Sequence, residues 1–339
     1  MSKGFPLRRR GGLPALAALV LQNTSLVLCL KLSFRERGAS YAPSTVVLVS
    51  EFIKLLLCAI VILKDRPGDL RAIVQQISRQ WLLFVPSILY VLQNNLLFFG
   101  AERLSSLMYI LCSQMKILTT AVMSRMIIGT RLTVAQYVYL VFLVFGVVTV
   151  QFQGVKVAPS SASQVASNTT WGVLAVILAS WISGTAGVTL EKIFTAAGST
   201  SDKVAHSVWT RNLQMSIVSI PFAFSGVCIN NSELLVTREL FKGYTPVVWA
   251  VVFLQSAGGI ITAFVMKSAG NIMKCLAIAL SICCCATFSV LQRESELTPA
   301  LLLGVFSVCI SVSGYSLSTK PILRPKLTPD KILMQRSAV

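Results

Sequence analysis

The 339-residue chain is 55% hydrophobic and only 12% charged, with a mean hydropathy of +0.74. Ordinary soluble domains carry about 25% charged residues, so this composition excludes a water-solvated globular fold and makes the bilayer the solvent. The formal net charge of +18 argues for no nucleic-acid partner, because the basic residues are scattered as short caps on apolar runs and build no continuous basic face.

Apolar runs with the roughly 20 residues that a span requires fall at 13–34, 42–64, 81–101, 105–127, 132–153, 170–195, 207–228, 246–266, 273–292 and 297–317. The expected fold is all-α: a polytopic membrane protein of ten transmembrane helices in a single domain, with tails at 1–12 and 318–339. Only Glu102-Arg103 separates the third run from the fourth, so nine spans is the rival count. The first run is already of spanning length and lacks a small-residue cleavage site, which argues against a cleaved signal peptide. Loops are short, and Tyr244-Thr245-Pro246 suits a helix start, since proline is tolerated in the first turn.

Leaving aside Lys54, Lys116 and Arg211 within spans, 19 basic residues fall on the side of the two termini and 8 on the other. The positive-inside rule then makes both tails cytosolic. The sequons Asn168-Thr169-Thr170 and Asn230-Asn231-Ser232 fall in the loops assigned to the lumen, whereas Asn23-Thr24-Ser25 is buried in the first span. Five spans in each half, 13–153 and 170–317, would put the second copy upside down, the plan of many secondary transporters with a site at the repeat interface. Leu92-Gln93 followed by Leu132-Thr133, and Leu254-Gln255 followed by Leu297-Thr298, give a faint echo between the halves.

A charge at mid-membrane costs about 2.5 to 3.5 kcal/mol on insertion scales, so each one in a span needs a reason. Along the chain these are Glu51, Lys54, Lys116, Glu191, Arg211 and Lys274. Glu51 and Lys54 are i, i+3 neighbours that can neutralise each other, leaving Lys54 free for a phosphate only if Glu51 has another partner. The third span carries Tyr90 and the amides Gln93-Asn94-Asn95, which either glue helices or read a base edge. In the fourth, Tyr109, Ser113 and Lys116 share one helical face and offer a ring, a hydroxyl and a cation, a set that suits a base and a phosphate. Gly184 and Gly187 lie on a small-residue face of the sixth span, which also serves close helix packing. Asn212 follows Arg211 in the seventh, and Lys274 stands near the head of the ninth, where the helix dipole adds to its pull on an anion. All nine cysteines fall in apolar runs, which reads as free buried thiols.

Several stretches carry a family resemblance: Glu51-Phe52-Ile53-Lys54-Leu55-Leu56-Leu57, Val85-Pro86-Ser87 through Gln93-Asn94-Asn95, Gln114-Met115-Lys116-Ile117-Leu118-Thr119-Thr120-Ala121, Gly187-Val188 with Glu191-Lys192, Val208-Trp209 with Arg211-Asn212-Leu213-Gln214, Gly243-Tyr244-Thr245-Pro246 and Asn271-Ile272-Met273-Lys274. In this order they resemble the nucleotide-sugar transporter family, which contains the UDP-galactose, UDP-N-acetylglucosamine and CMP-sialic acid transporters. The resemblance implies a drug/metabolite-transporter fold in Golgi or endoplasmic-reticulum membranes, and exchange of a nucleotide-sugar for a nucleoside monophosphate without a cofactor. It implies a nucleotide pocket of Lys54, Tyr90, Asn94, Asn95, Tyr109, Lys116, Asn212 and Lys274. Ser113 and Thr189 stand where the family usually has aromatic rings. The wording around Lys116 and Gly243 resembles the UDP-sugar members more than the CMP-sialic acid members, so UDP-galactose or UDP-N-acetylglucosamine against UMP is expected, with CMP-sialic acid against CMP as the alternative. The sequence is compatible with a homodimer.

Two other classes fare worse. A glycosyltransferase would need lumenal acids to hold a metal, yet Asp65, Asp69, Asp202 and Asp330 all map to the cytosolic side, so no enzyme is expected. A proton-coupled exporter of cations would need Glu51 or Glu191 as an unpaired carrier.

Overall fold

The computed structural model describes residues 12–35, 41–65, 84–104, 106–152, 166–195, 208–230, 233, 237, 239–292 and 297–318. Within them the chain forms ten α-helices: α1 (Gly12–Arg35), α2 (Pro43–Asp65), α3 (Phe84–Arg103), α4 (Ser106–Met123), α5 (Val134–Phe152), α6 (Ala166–Thr195), α7 (Val208–Asn230), α8 (Pro246–Ser268), α9 (Asn271–Leu291) and α10 (Pro299–Ser318). Eight of them, all but α3 and α4, are long and apolar enough to cross a membrane. The chain is a multi-pass membrane protein. A span must satisfy every backbone polar group internally, which a helix does by itself and a loop in hydrocarbon cannot.

Local chemistry fixes the helix ends. The side chain of Thr245 accepts a hydrogen bond from the Val248 N–H, with Pro246 in the first turn of α8, so the expected helix start is realised. The end of α4 widens into a π turn over Ser124–Ile128, which Gly129 stops by taking φ +78. The third and fourth expected spans are separate helices, α3 ending at Arg103 and α4 starting at Ser106. One sequence expectation needs correction. Asn168-Thr169-Thr170, placed in a loop, lies in the first turns of α6, because that helix begins at Ala166 rather than near 170. Asn231 and Ser232 of the second sequon lie outside the described residues.

The main core joins α1, α4, α5, α8, α9 and α10 through buried residues such as Leu19, Ala121, Leu143, Val265, Leu276 and Val308. Around it α3 packs on α6, α1 on α8 and α9, α2 on α7 and α5 on α10. The last crossing is close because it is glycine on glycine. A Cβ added at Gly146 would stand 2.9 Å from the Gly304 carbonyl oxygen, and one at Gly304 would stand 3.0 Å from that of Gly146. Large apolar side chains such as Phe142, Phe145 and Phe306 remain exposed on the outer surface, where lipid rather than water covers them. Polar contacts also stitch the bundle: Gln22 of α1 donates to the Leu254 carbonyl, and Asn23 donates to Ser281. The Asn23 sequon is thus inside the bundle, as its place in the first span implies.

Candidate functional site

A cavity of about 260 Å³ lies between α3, α4, α5 and α6, lined among others by Gln93, Tyr109, Ser113, Gln114, Lys116, Gln151, Ser180 and Ser183. Tyr109, Ser113 and Lys116 thus meet on one wall, as their helical spacing implies. Contacts between helices hold that wall. Thr119 donates to the Ser180 carbonyl at 2.8 Å and Ser180 donates to the Cys112 carbonyl at 3.2 Å, tying α4 to α6. Gln114 Nε2 donates to Gln151 Oε1 at 2.9 Å, tying α4 to α5. Gly184 permits the α4–α6 approach, since a Cβ there would come within 3.0 Å of the Thr119–Thr120 backbone.

Among the described lining residues Lys116 alone is charged. Its side chain keeps exposed surface in the bundle, and no described carboxylate forms an ion pair with it. The other two lysines differ. Lys54 Nζ lies 2.6 Å from Glu51 Oε1, and the pair is largely buried, with Lys54 against Gly259 of α8. The condition for a free Lys54 is therefore not met: its charge is already matched. At the head of α9, Glu191 Oε2 accepts the Asn271 N–H at 2.8 Å, and Gly270, at φ +88, leaves room for the carboxylate. The anion that the helix head and Lys274 favour is here a side chain of α6, the Glu191 carboxylate. Lys274, one turn further on, lies within the electrostatic reach of Glu191.

The remaining expected residues whose side chains are described do not line this cavity. Tyr90 packs against the buried cluster of Leu190, Phe194, Val208, Ala263 and Met266. Asn212 is buried and donates to the Val208 carbonyl at 2.9 Å. Gly187 faces the Asn271 side chain and serves the α6–α9 contact. The side chains of Asn94 and Asn95 lie outside the described residues. Conversely, Gln114, Gln151 and Ser180 line the cavity without having been singled out from sequence. Their only early signal is the cost of placing amides in apolar helices.

The arrangement is one cation with no ion-pair partner among the described residues, beside neutral hydrogen-bonding groups, which fits an anionic ligand with a polar, uncharged part. A family model described as "Nucleotide-sugar transporter" matches residues 12–316. The chain belongs to the nucleotide-sugar transporter family. Its relatives include a mouse "UDP-N-acetylglucosamine transporter", 34% identical over 92% of this chain and 97% of its own length. The human "UDP-galactose translocator" is 32% identical over 89% of this chain and 76% of its own. A Caenorhabditis elegans "UDP-N-acetylglucosamine/UDP-N-acetylgalactosamine transporter" is 35% identical over 79% and 82%. A solved crystal structure superposes with a TM-score of 0.67 over 91% of this chain and 98% of its own at 12% identity, a likeness of fold alone.

Proposed function

We propose that this protein carries a UDP-sugar across a Golgi or endoplasmic-reticulum membrane in exchange for UMP, and is no enzyme. The observation that carries the reading is Lys116, a cation in a neutral polar cavity with no described carboxylate to balance it. A diphosphate or monophosphate supplies the missing charge, and a charge-assisted contact of that kind is worth about 1.5 to 3 kcal/mol. The names of the relatives favour uridine nucleotides. Lys274, with Tyr90, Asn94, Asn95 and Asn212, is proposed to complete the nucleotide's surroundings as the helices rearrange, while Lys54 stays paired with Glu51. Gly184 and Gly187 let α6 move against α4 and α9.

The same proposal takes all ten helices as spans, in two inverted five-helix repeats with cytosolic termini. Helix pairing supports it. Exchanging α1–α5 for α6–α10 turns the α3–α6 pair into α8–α1, α4–α6 into α9–α1 and α4–α5 into α9–α10, and returns α2–α7 and α5–α10 to themselves; all of these pairs are in contact. An odd number of spans per repeat makes the second copy inverted, and rocking of one half against the other gives alternating access. Proteoliposomes containing the purified protein test the function. Labelled UDP-N-acetylglucosamine or UDP-galactose should enter vesicles preloaded with UMP and not empty ones, and faster uptake of CMP-sialic acid against CMP would overturn the assignment.

A further inference from the structure

The cavity beside Lys116 can hold only part of a nucleotide-sugar. Its volume of about 260 Å³ lies just under the roughly 300 to 1,000 Å³ of sites that enclose a whole small molecule. With Lys116 matched to a phosphate, the rest of the cavity receives either the base or the sugar. A base needs flat faces, and Tyr109 is the single ring among the described lining residues.

Hydrogen-bond accounting points to the sugar. The Ser113 hydroxyl donates its proton to the Ile110 carbonyl at 2.9 Å, and that of Ser180 is given to Cys112, so both turn only lone pairs to a ligand. Gln93 Oε1 is buried without a partner among the described residues. The Gln114–Gln151 bond uses one amide N–H and one carbonyl oxygen. Whichever way each amide is turned, a carbonyl oxygen remains on one partner and an amino group on the other. The wall is thus mixed: beside these acceptors it carries the hydroxyls of Tyr109 and Ser183, the Gln93 amide, and the free carbonyl oxygen and amino group of the Gln114–Gln151 pair. A hexose brings several O–H groups, each able to donate and to accept, and so suits such a wall along its whole length, whereas uracil brings a single N–H. An acetamido group presents the N–H and C=O that complement the free ends of the amide pair.

We infer that Gln114, Gln151, Ser180 and Ser183 form the sugar subsite, and that the Gln114–Gln151 pair favours a 2-acetamido sugar; this rests on the reading of the substrate as a UDP-sugar. The test is the affinity of the purified full-length protein for UMP, UDP-galactose and UDP-N-acetylglucosamine. Replacing the amide in Gln151→Leu should weaken UDP-N-acetylglucosamine about tenfold, the effect of one lost hydrogen bond that leaves its partner unpaired. UDP-galactose should weaken less, and UMP should stay within about twofold. Ser183→Val adds bulk without breaking a described hydrogen bond, and it should weaken both UDP-sugars while sparing UMP. It carries the test if Gln151→Leu fails to fold. Equal losses for UMP and the UDP-sugars, or no loss for any, would overturn the subsite. Wild-type protein that binds no uridine nucleotide would instead sink the functional reading, so the two failures are distinguishable.

Discussion

The carboxylate of Glu191, near the end of α6, accepts the first backbone N–H of α9 from Asn271 at 2.8 Å. A helix head leaves its first N–H groups without partners and carries a partial positive charge, so a buried carboxylate there is stabilising on both counts. The contact joins the first helix of the second half to the fourth helix of the same half. It also explains how Glu191 is tolerated in a span: its charge is met by a dipole and by the nearby Lys274.

Removing the carboxylate separates these terms. Glu191→Gln keeps an acceptor for Asn271 and loses only the charge, so it should cost about 0.3 to 2 kcal/mol. Glu191→Ala leaves the buried N–H unpaired and should cost about 1 to 3 kcal/mol. Thermal unfolding in detergent should rank wild type above Gln above Ala. An alanine variant as stable as wild type would show that the cap contributes nothing.

Lys54 and Glu51 predict a different pattern, since each neutralises the other at 2.6 Å in a largely buried place. Lys54→Ala strands Glu51 and should destabilise by about 3 to 5 kcal/mol, seen as low yield of folded protein. Adding Glu51→Gln should restore much of that yield, because the uncompensated charge is gone. Yield and melting temperature of the single and double variants check this, and a double variant no better than the single one would refute the pairing argument.

How far the sequence disclosed these features depends on the distance over which they act. The helices and the face shared by Tyr109, Ser113 and Lys116 are local properties of period and polarity, and they were legible. So was the Glu51–Lys54 pair, three residues apart. The cap on α9 joins residues 80 apart in the chain, and the Gln114–Gln151 bond joins residues 37 apart on different helices. Nothing local in either glutamine tells it from an interfacial residue. The small residues at 184 and 187 were legible as close-packing positions, but which neighbours they admit, Thr119 and Asn271, depends on the helix arrangement.

The α5–α10 crossing gives a prediction about packing. A Cβ at Gly304 would meet the Val150 side chain at 2.8 Å and the Gly146 carbonyl oxygen at 3.0 Å. Gly304→Leu should therefore force the helices apart, at a cost of about 1 to 3 kcal/mol or more. Gly226→Ala, where an added Cβ meets nothing within 4 Å in α7, is the control and should be neutral or slightly stabilising. Detergent melting curves that do not separate the two variants would contradict the close crossing.

The excess of 19 basic residues over 8 on the side of the termini predicts a cytosolic C-terminus. A tag placed after Val339 should be cleaved by protease added to sealed vesicles with their cytosolic face outward, and shielded in vesicles of opposite orientation. The reverse pattern would overturn the proposed topology.

Lys116 carries the sharpest prediction because it is the one charged residue among the described lining residues of the cavity and no described carboxylate is paired with it. Lys116→Ala should abolish exchange yet leave a folded protein, since its removal strands no described acid. Losing a charge-assisted contact of about 1.5 to 3 kcal/mol should weaken UMP binding by about tenfold or more. Lys116→Arg should recover only part of the affinity, because a planar guanidinium presents its donors in a wider fork than an ammonium does. Lys54→Ala should fail through instability, so melting temperature and UMP affinity measured on the same purified samples distinguish a ligand-binding lysine from a structural one. A Lys116→Ala protein with normal melting and unchanged UMP affinity would remove the phosphate role. One that fails to fold would show that Lys116 is structural, with its counter-charge outside the described residues.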